Sequence, residues 1–242
     1  MVLKIQFAQV AAVAQDSIMN LTEPVVEGIN VWDLALKGGW IMLVLALLSV
    51  VGVYIFFERF SVLRKAMKRN PLFMERIHDN VKDDDIKSAT NYCRNENTPV
   101  SRVIEKGLKN FRLSADAIRE TVDNSANLEV AILEKGLPIL STIAAVGPMI
   151  GFLGTVTGMV QAFWEMSNAG NNIDVSLLAG GIYEAMVTTV GGLIVGIVSI
   201  FAYNYLVSLV DKVQNDIEGE IIAFIEIASE LKEKNNPSSA EK

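Results

Sequence analysis

Residues 176–210 read SLLAGGIYEAMVTTVGGLIVGIVSIFAYNYLVSLV, and Glu184 is the only charge among them. About 20 helical residues cross a hydrocarbon core of ~30 Å, so the stretch is long enough to span a membrane. A carboxylate inside it must leave water or line a wet path, at a cost of roughly 2.5–3.5 kcal/mol on insertion scales. Glu184 is therefore either a functional group or a marker of the helix end at headgroup level. The glycines and hydroxyls around it, unusual on a lipid-facing helix, favour function.

Two further uncharged runs, 38–57 and 136–164, are also long enough to span. Half of the chain is apolar (51% of 242 residues, mean hydropathy +0.34), and those residues gather into the three runs instead of spreading as in a soluble core. The expected fold is an all-α membrane protein with three transmembrane helices and long helical extensions in the cytoplasm. Its segments are an external N-terminal stretch 1–37, spans 38–57, 136–164 and 176–210, a helical region 58–135, an external turn 165–175 and a tail 211–242.

Lysine and arginine set the orientation. Arg59, Arg64, Lys65, Lys68 and Arg69 follow the first run, whereas the residues before it hold only Lys4 and Lys37. The positive-inside rule then puts 58–135 and 211–242 in the cytoplasm and the N-terminus outside. Lys4, the apolar stretch after it and Ala12-Val13-Ala14 read either as a signal peptide with its cleavage site or as an amphipathic helix on the outer surface. Either reading leaves the N-terminus outside.

The polar region reads as helices. The Asp83–Asp85 cluster, the Asn97–Pro99 break and an N-cap at Ser114 punctuate it. With no proline or glycine from Leu113 to Lys135, an unbroken rod is expected to run into the second span. After the third span, Leu206, Val210, Val213, Ile217, Ile221, Phe224, Ala228 and Leu231 recur at intervals of three or four, the stripe of an amphipathic helix that needs a partner.

Several chemistries find no support. A net charge of −7 and a pI near 4.9 argue against nucleic acid as a partner. His78 and Cys93 are the only residues of their kinds, so no metal cage, nucleophile–histidine pair or intrachain disulfide is expected, and Cys93 reads as a partly buried helix residue. Gly151-Phe152-Leu153-Gly154 has no following lysine and is no phosphate loop. No cofactor is implied, and an enzyme is the weakest class.

The second span carries Gly147, Gly151, Gly154 and Gly158, and the third Gly192 and Gly196, all at spacings that let helix backbones approach closely. Thr155 lies mid-span, and Thr188 follows Glu184 by one turn, about 40° around the wheel, with Thr189 about 140° away. Any one threonine could simply bond its own helix. A carboxylate, several hydroxyls and glycine faces together suggest a polar conduit, and hence an oligomer, since two helices enclose no pore.

The stretch from Leu140 to Met159, LSTIAAVGPMIGFLGTVTGM, and that from Gly181 to Leu193, GIYEAMVTTVGGL, resemble the signatures of the MotA/TolQ/ExbB proton-channel family. The resemblance covers nearly the whole chain after Val31. It implies that Thr155 and Thr189 line the channel and that Glu184 is the acidic residue near the outer mouth. The wheel alone favours Thr188, so Thr188 stays a candidate behind Thr189. The resemblance further implies a ring, commonly of five copies, in a bacterial inner membrane. The ring would surround helices of an ExbD-like single-span subunit that supplies a membrane aspartate, and would act with a TonB-like protein. Three spans and the length of the external segment point to the ExbB branch, a proton-driven motor subunit serving TonB-dependent transport. A TolQ-like envelope-constriction role and a non-conducting scaffold for a partner helix are the alternatives.

Overall fold

The structure, a computed structural model, describes residues 39–68, 70–168 and 175–235. The expectations for segment 1–37, for Gly38 and Arg69, for most of the external turn and for the tail beyond Asn235 fall outside those residues. Among the described residues the chain is entirely helical: α1 (Gly39–Ala66), α2 (Phe73–Lys82), α3 (Ile86–Glu96), α4 (Pro99–Lys109), α5 (Ala115–Glu134), α6 (Leu137–Asn168) and α7 (Val175–Asn235). Three of these helices, α1, α6 and α7, are long and apolar enough to cross a membrane.

The helix α7 organises the molecule. It runs 61 residues without interruption, about 90 Å at 1.5 Å per residue. Its first half packs on α6 and α1, and its second half on α2, α4 and α5. The stripe from Leu206 to Ala228 is buried along its length, with Leu231 half-buried at the end. Opposite it lie Ile77 of α2, Val103, Ile104 and Leu108 of α4, and Ile118 and Val122 of α5, each at most 1% exposed. Burying such side chains stabilises by about 1.5–3 kcal/mol each, which is what holds this half together in water.

Local signals place the short helices. The Asp85 carboxylate accepts from the Ser88 amide at 3.0 Å and caps α3. Thr98 and Ser101 form a reciprocal capping box at α4, with Pro99 as its first residue. The Ser114 hydroxyl accepts from the Ala117 amide and caps α5. The Arg102 guanidinium then grips Glu129 through two bonds of 2.8 and 2.6 Å, tying α4 to α5. Cys93 is fully buried, and its desolvation, with the Glu105 charge nearby, pushes the thiol pKa up to about 12.

One expectation is corrected. The rod from Leu113 into the second span breaks at Lys135–Gly136, where Gly136 takes φ +91°, a left-handed conformation open to glycine at little cost. Pro138, near the start of α6, has no amide hydrogen to leave unbonded in that first turn. Arg59 occupies the corner: its Nε lies 3.3 Å from where a Gly136 Cβ would stand. Its Nη1 reaches the Ile132 carbonyl at 3.5 Å, so a cation sits at the negative end of α5.

Candidate functional site

The site forms where α6 and α7 lie antiparallel, and backbone geometry defines it before any polar group does. A Cβ on Gly192 would stand 2.6 Å from the Gly147 carbonyl oxygen and 2.8 Å from the Gly151 Cα. One on Gly151 would stand 2.9 Å from the Thr188 carbonyl, and one on Gly158 would stand 3.0 Å from the Ala185 methyl. At the other end, Gly196 packs against the Pro148 ring, 2.6 Å from a built Cβ. Pro148 has no amide hydrogen for the Ala144 carbonyl, and that carbonyl also turns toward Gly196. Lipid tails are as apolar as leucine, so helices in a bilayer gain little from burying large side chains against each other. They gain from close van der Waals contact, which small residues permit.

The seam is longer than the six glycines read from sequence. Gly181 meets the Ala162 methyl, and Ala185 meets Gly158, so small residues face one another from Gly147 to Ala162 on α6 and from Gly196 back to Gly181 on α7. The small-residue spacing continues past Gly158 to Ala162, and from Gly192 back through Ala185 to Gly181; that continuation was the available signal. Arg59 was read from sequence only as an orienting cation; its place at the α5–α6 corner was not, because the positive φ of Gly136 beside it is invisible in sequence.

The three threonines separate into two environments. Thr188 is buried, 2% exposed, with its side chain pressed into the hollow left by Gly154. Its hydroxyl donates to the Ala185 carbonyl at 2.7 Å and approaches the Gly151 carbonyl at 3.4 Å. Thr155 and Thr189 stand together at the half-buried edge of the same seam. Thr155 donates to the Phe152 carbonyl at 2.6 Å, Thr189 donates to the Gly151 carbonyl at 3.0 Å, and the two hydroxyls are 3.5 Å apart. A pair of rotatable hydroxyls at that separation, each able to donate and accept, is the element from which a relay for protons or a lining for a hydrated ion is built.

Glu184 does not join this pair. It is exposed, and its Oε1 lies 2.5 Å from where a Cβ of Gly39 would stand, beside the first turn of α1. At 100° per residue the Glu184 and Thr189 side chains leave α7 about 140° apart. The structure thus brings Thr155 and Thr189 together, sets Thr188 into the helix contact and places Glu184 on the side toward α1. Among the described residues no three His, Cys, Asp or Glu side chains stand close enough to hold a metal ion.

Known proteins match the part of the chain that holds these residues. The chain matches the MotA/TolQ/ExbB proton channel family over residues 95–219, which include the glycine seam and all three threonines. It is 30% identical over 179 residues to a putative biopolymer transport protein, ExbB-like 1, of Synechocystis, covering 73% of this chain and 70% of that one. It is 28% identical over 214 residues to the Tol-Pal system protein TolQ of Haemophilus influenzae, covering 82% of this chain and 93% of that protein. With the biopolymer transport protein ExbB of Neisseria meningitidis it shares 26% over 180 residues, covering 69% and 80%. Three membrane-capable helices and the matched region together identify a multi-pass inner-membrane protein, and the chain belongs to the MotA/TolQ/ExbB proton channel family.

Proposed function

We propose that the chain is the ring subunit of a proton-driven inner-membrane motor of the ExbB kind, coupling proton motive force to TonB-dependent transport across the outer membrane. The observation that carries this reading is the contact between the Thr155 and Thr189 hydroxyls at the open edge of α6 and α7. In a ring, commonly of five copies, that edge would face a shared axis. An ExbD-like single-span subunit would bring a membrane aspartate there, and a TonB-like protein would receive the motion. The chain itself performs no catalysis in this reading. The cations Arg59, Arg64, Lys65 and Lys68 at the end of α1 support an orientation with the polar helices in the cytoplasm and the N-terminus in the periplasm. Glu184 then stands near the periplasmic mouth, where it draws in cations.

A second reading is a TolQ-like role in envelope constriction, favoured by the coverage of the Haemophilus influenzae TolQ, which spans nearly that whole protein. The periplasmic domain of a single-span protein copurified with this chain would separate the two.

The test is proton flux into liposomes that hold the purified complex under an imposed pH gradient. The expected outcome is flux that falls about tenfold or more in Thr155→Val with Thr189→Val, since each change removes a hydroxyl at nearly constant shape. Flux equal to that of empty liposomes would leave the scaffold reading. Glu184→Gln is expected to lower flux with assembly unchanged, and Glu184→Asp to retain part of it. Cysteine labelling at Ala115 is expected to report the cytoplasm, and labelling from the periplasm would reverse the orientation.

A further inference from the structure

Away from the α6–α7 seam, α1 and α7 leave an apolar groove of about 400 Å³ between them, bounded by Gly52, Phe56 and Phe57 of α1, Leu140 of α6, and Ser199 and Tyr205 of α7. Small residues create it. A Cβ on Gly52 would find Leu140 at 3.6 Å and the Ser199 hydroxyl at 3.8 Å, ordinary van der Waals contacts that a methyl group satisfies and that a larger side chain would have to pass into the groove. From Gly52, α1 presents Phe56, Phe60 and Arg64 at successive four-residue steps, hence along one face. The Phe56 ring stacks on Phe60 at 6.0 Å, Phe60 lies 6.2 Å from Tyr205, and the Arg64 guanidinium sits 5.7 Å above Phe60. The groove thus leads through a collar of aromatic rings to an exposed cation, with exposed Lys65 and Lys68 beside it.

We propose that this groove seats one acyl chain of an anionic phospholipid whose phosphate headgroup is held by Arg64, with Lys65 and Lys68 adding attraction. Both walls belong to membrane-crossing helices, so hydrocarbon is the medium that meets the groove. The order along the face (apolar slot, aromatic collar, cations) repeats the order of a leaflet from acyl chain through interface to headgroup. The volume lies within the range of small-molecule sites. A cluster of lysine and arginine directly after a membrane helix draws anionic lipid by charge, and here the slot would hold the chain of the lipid so drawn. The site is independent of the hydroxyl pair, and its test does not depend on conduction.

Native mass spectrometry of the full-length protein, released from detergent mixed with phosphatidylglycerol or phosphatidylcholine, counts the lipids each variant keeps. The expected result is phosphatidylglycerol retained in preference to phosphatidylcholine. Arg64→Gln is expected to weaken that retention about fivefold, the effect of one interfacial cation. Gly52→Leu fills the groove and is expected to abolish retention of both lipids, whereas Gly52→Ala fits the existing space and keeps it. Equal retention of the two lipids by the wild-type protein would overturn the proposal. So would phosphatidylglycerol retention unchanged in Gly52→Leu, and so would an absence of bound lipid, the outcome if a second copy of the chain covers the groove. Should Gly52→Leu fail to assemble, Arg64→Gln decides: the substitution is exposed, and an unchanged lipid preference there overturns the proposal.

Discussion

The two halves of α7 are one helix held by opposite means. From Gly181 to Gly196 it touches α6 mainly through glycine backbone and small side chains such as Ala185 and Thr188, and large side chains such as Met186 and Ile194 point away, more than half exposed. From Leu206 to Ala228 a stripe of large side chains, Phe224 the largest, points inward and is buried among those of α2, α4 and α5. The change follows the solvent. In lipid, burial of leucine gains little, and association rests on contact that only small residues allow. In water, burial of the same leucine is the main source of stability. One α-helix carries both codes, and the switch falls between Gly196 and Leu206.

The contrast is sharpest where each half is most sensitive to the wrong change. Gly192→Leu should have the largest effect of all. The atoms in the way are backbone of Gly147 and Gly151, so neither helix can yield by a rotamer change. The cost should exceed the ~1–3 kcal/mol usual for overpacking and abolish assembly of the complex, read by thermal unfolding in detergent and by flux. In the other half the damaging change is removal of bulk. Phe224 is fully buried, and its ring fills the space that a side chain at Gly107 would need. Phe224→Ala should cost about 3–5 kcal/mol of stability in the polar bundle, while a spin-label distance between α6 and α7 stays unchanged. A change in that distance would show that the two halves are not independent.

Smaller effects refine the picture of the polar half. Lys109 first, and then Arg94, hydrogen-bond the Glu105 carboxylate at 2.7 and 2.9 Å and hold its pKa below the usual value. A lowered folded-state pKa means that the contribution is fully present above the ordinary carboxylate range and is lost as pH falls through the lowered value. Glu105→Gln should cost about 0.5–1 kcal/mol at neutral pH and nothing in strong acid, measured by denaturation across that range. The last effect is a gain of similar size. Gly219, in the middle of α7, has no atom within 4 Å of a built Cβ, so Gly219→Ala should stabilise by about 0.5–1 kcal/mol. The same substitution at Gly151, in the lipid half, should destabilise, and a gain there would break the distinction drawn above.

The sequence makes parts of this legible because they depend on one helix at a time. Uncharged run length locates three membrane-capable helices, and the Leu206–Leu231 stripe marks the face that is buried. Two features depend on a second helix and were not legible. A wheel drawn on α7 ranks Thr188 beside Glu184, but it cannot know that Gly154 of α6 leaves a hollow for the Thr188 side chain, nor that Thr155 waits 3.5 Å from Thr189. The break at Gly136 was missed for a related reason. Glycine is permitted inside a helix as well as at its end, and the corner that forms at Gly136 is packed by Arg59, 77 positions earlier in the chain.

The most direct measurement of the proposed path compares two neighbouring hydroxyls in one assay. Proton flux would be measured in liposomes carrying the complex with Thr188→Val or with Thr189→Val, at matched assembly. Thr188 lies inside the helix contact and Thr189 faces Thr155 at the open edge. The account predicts that Thr189→Val loses about tenfold or more of the flux and that Thr188→Val keeps most of it. Flux lost in Thr188→Val and kept in Thr189→Val would contradict it.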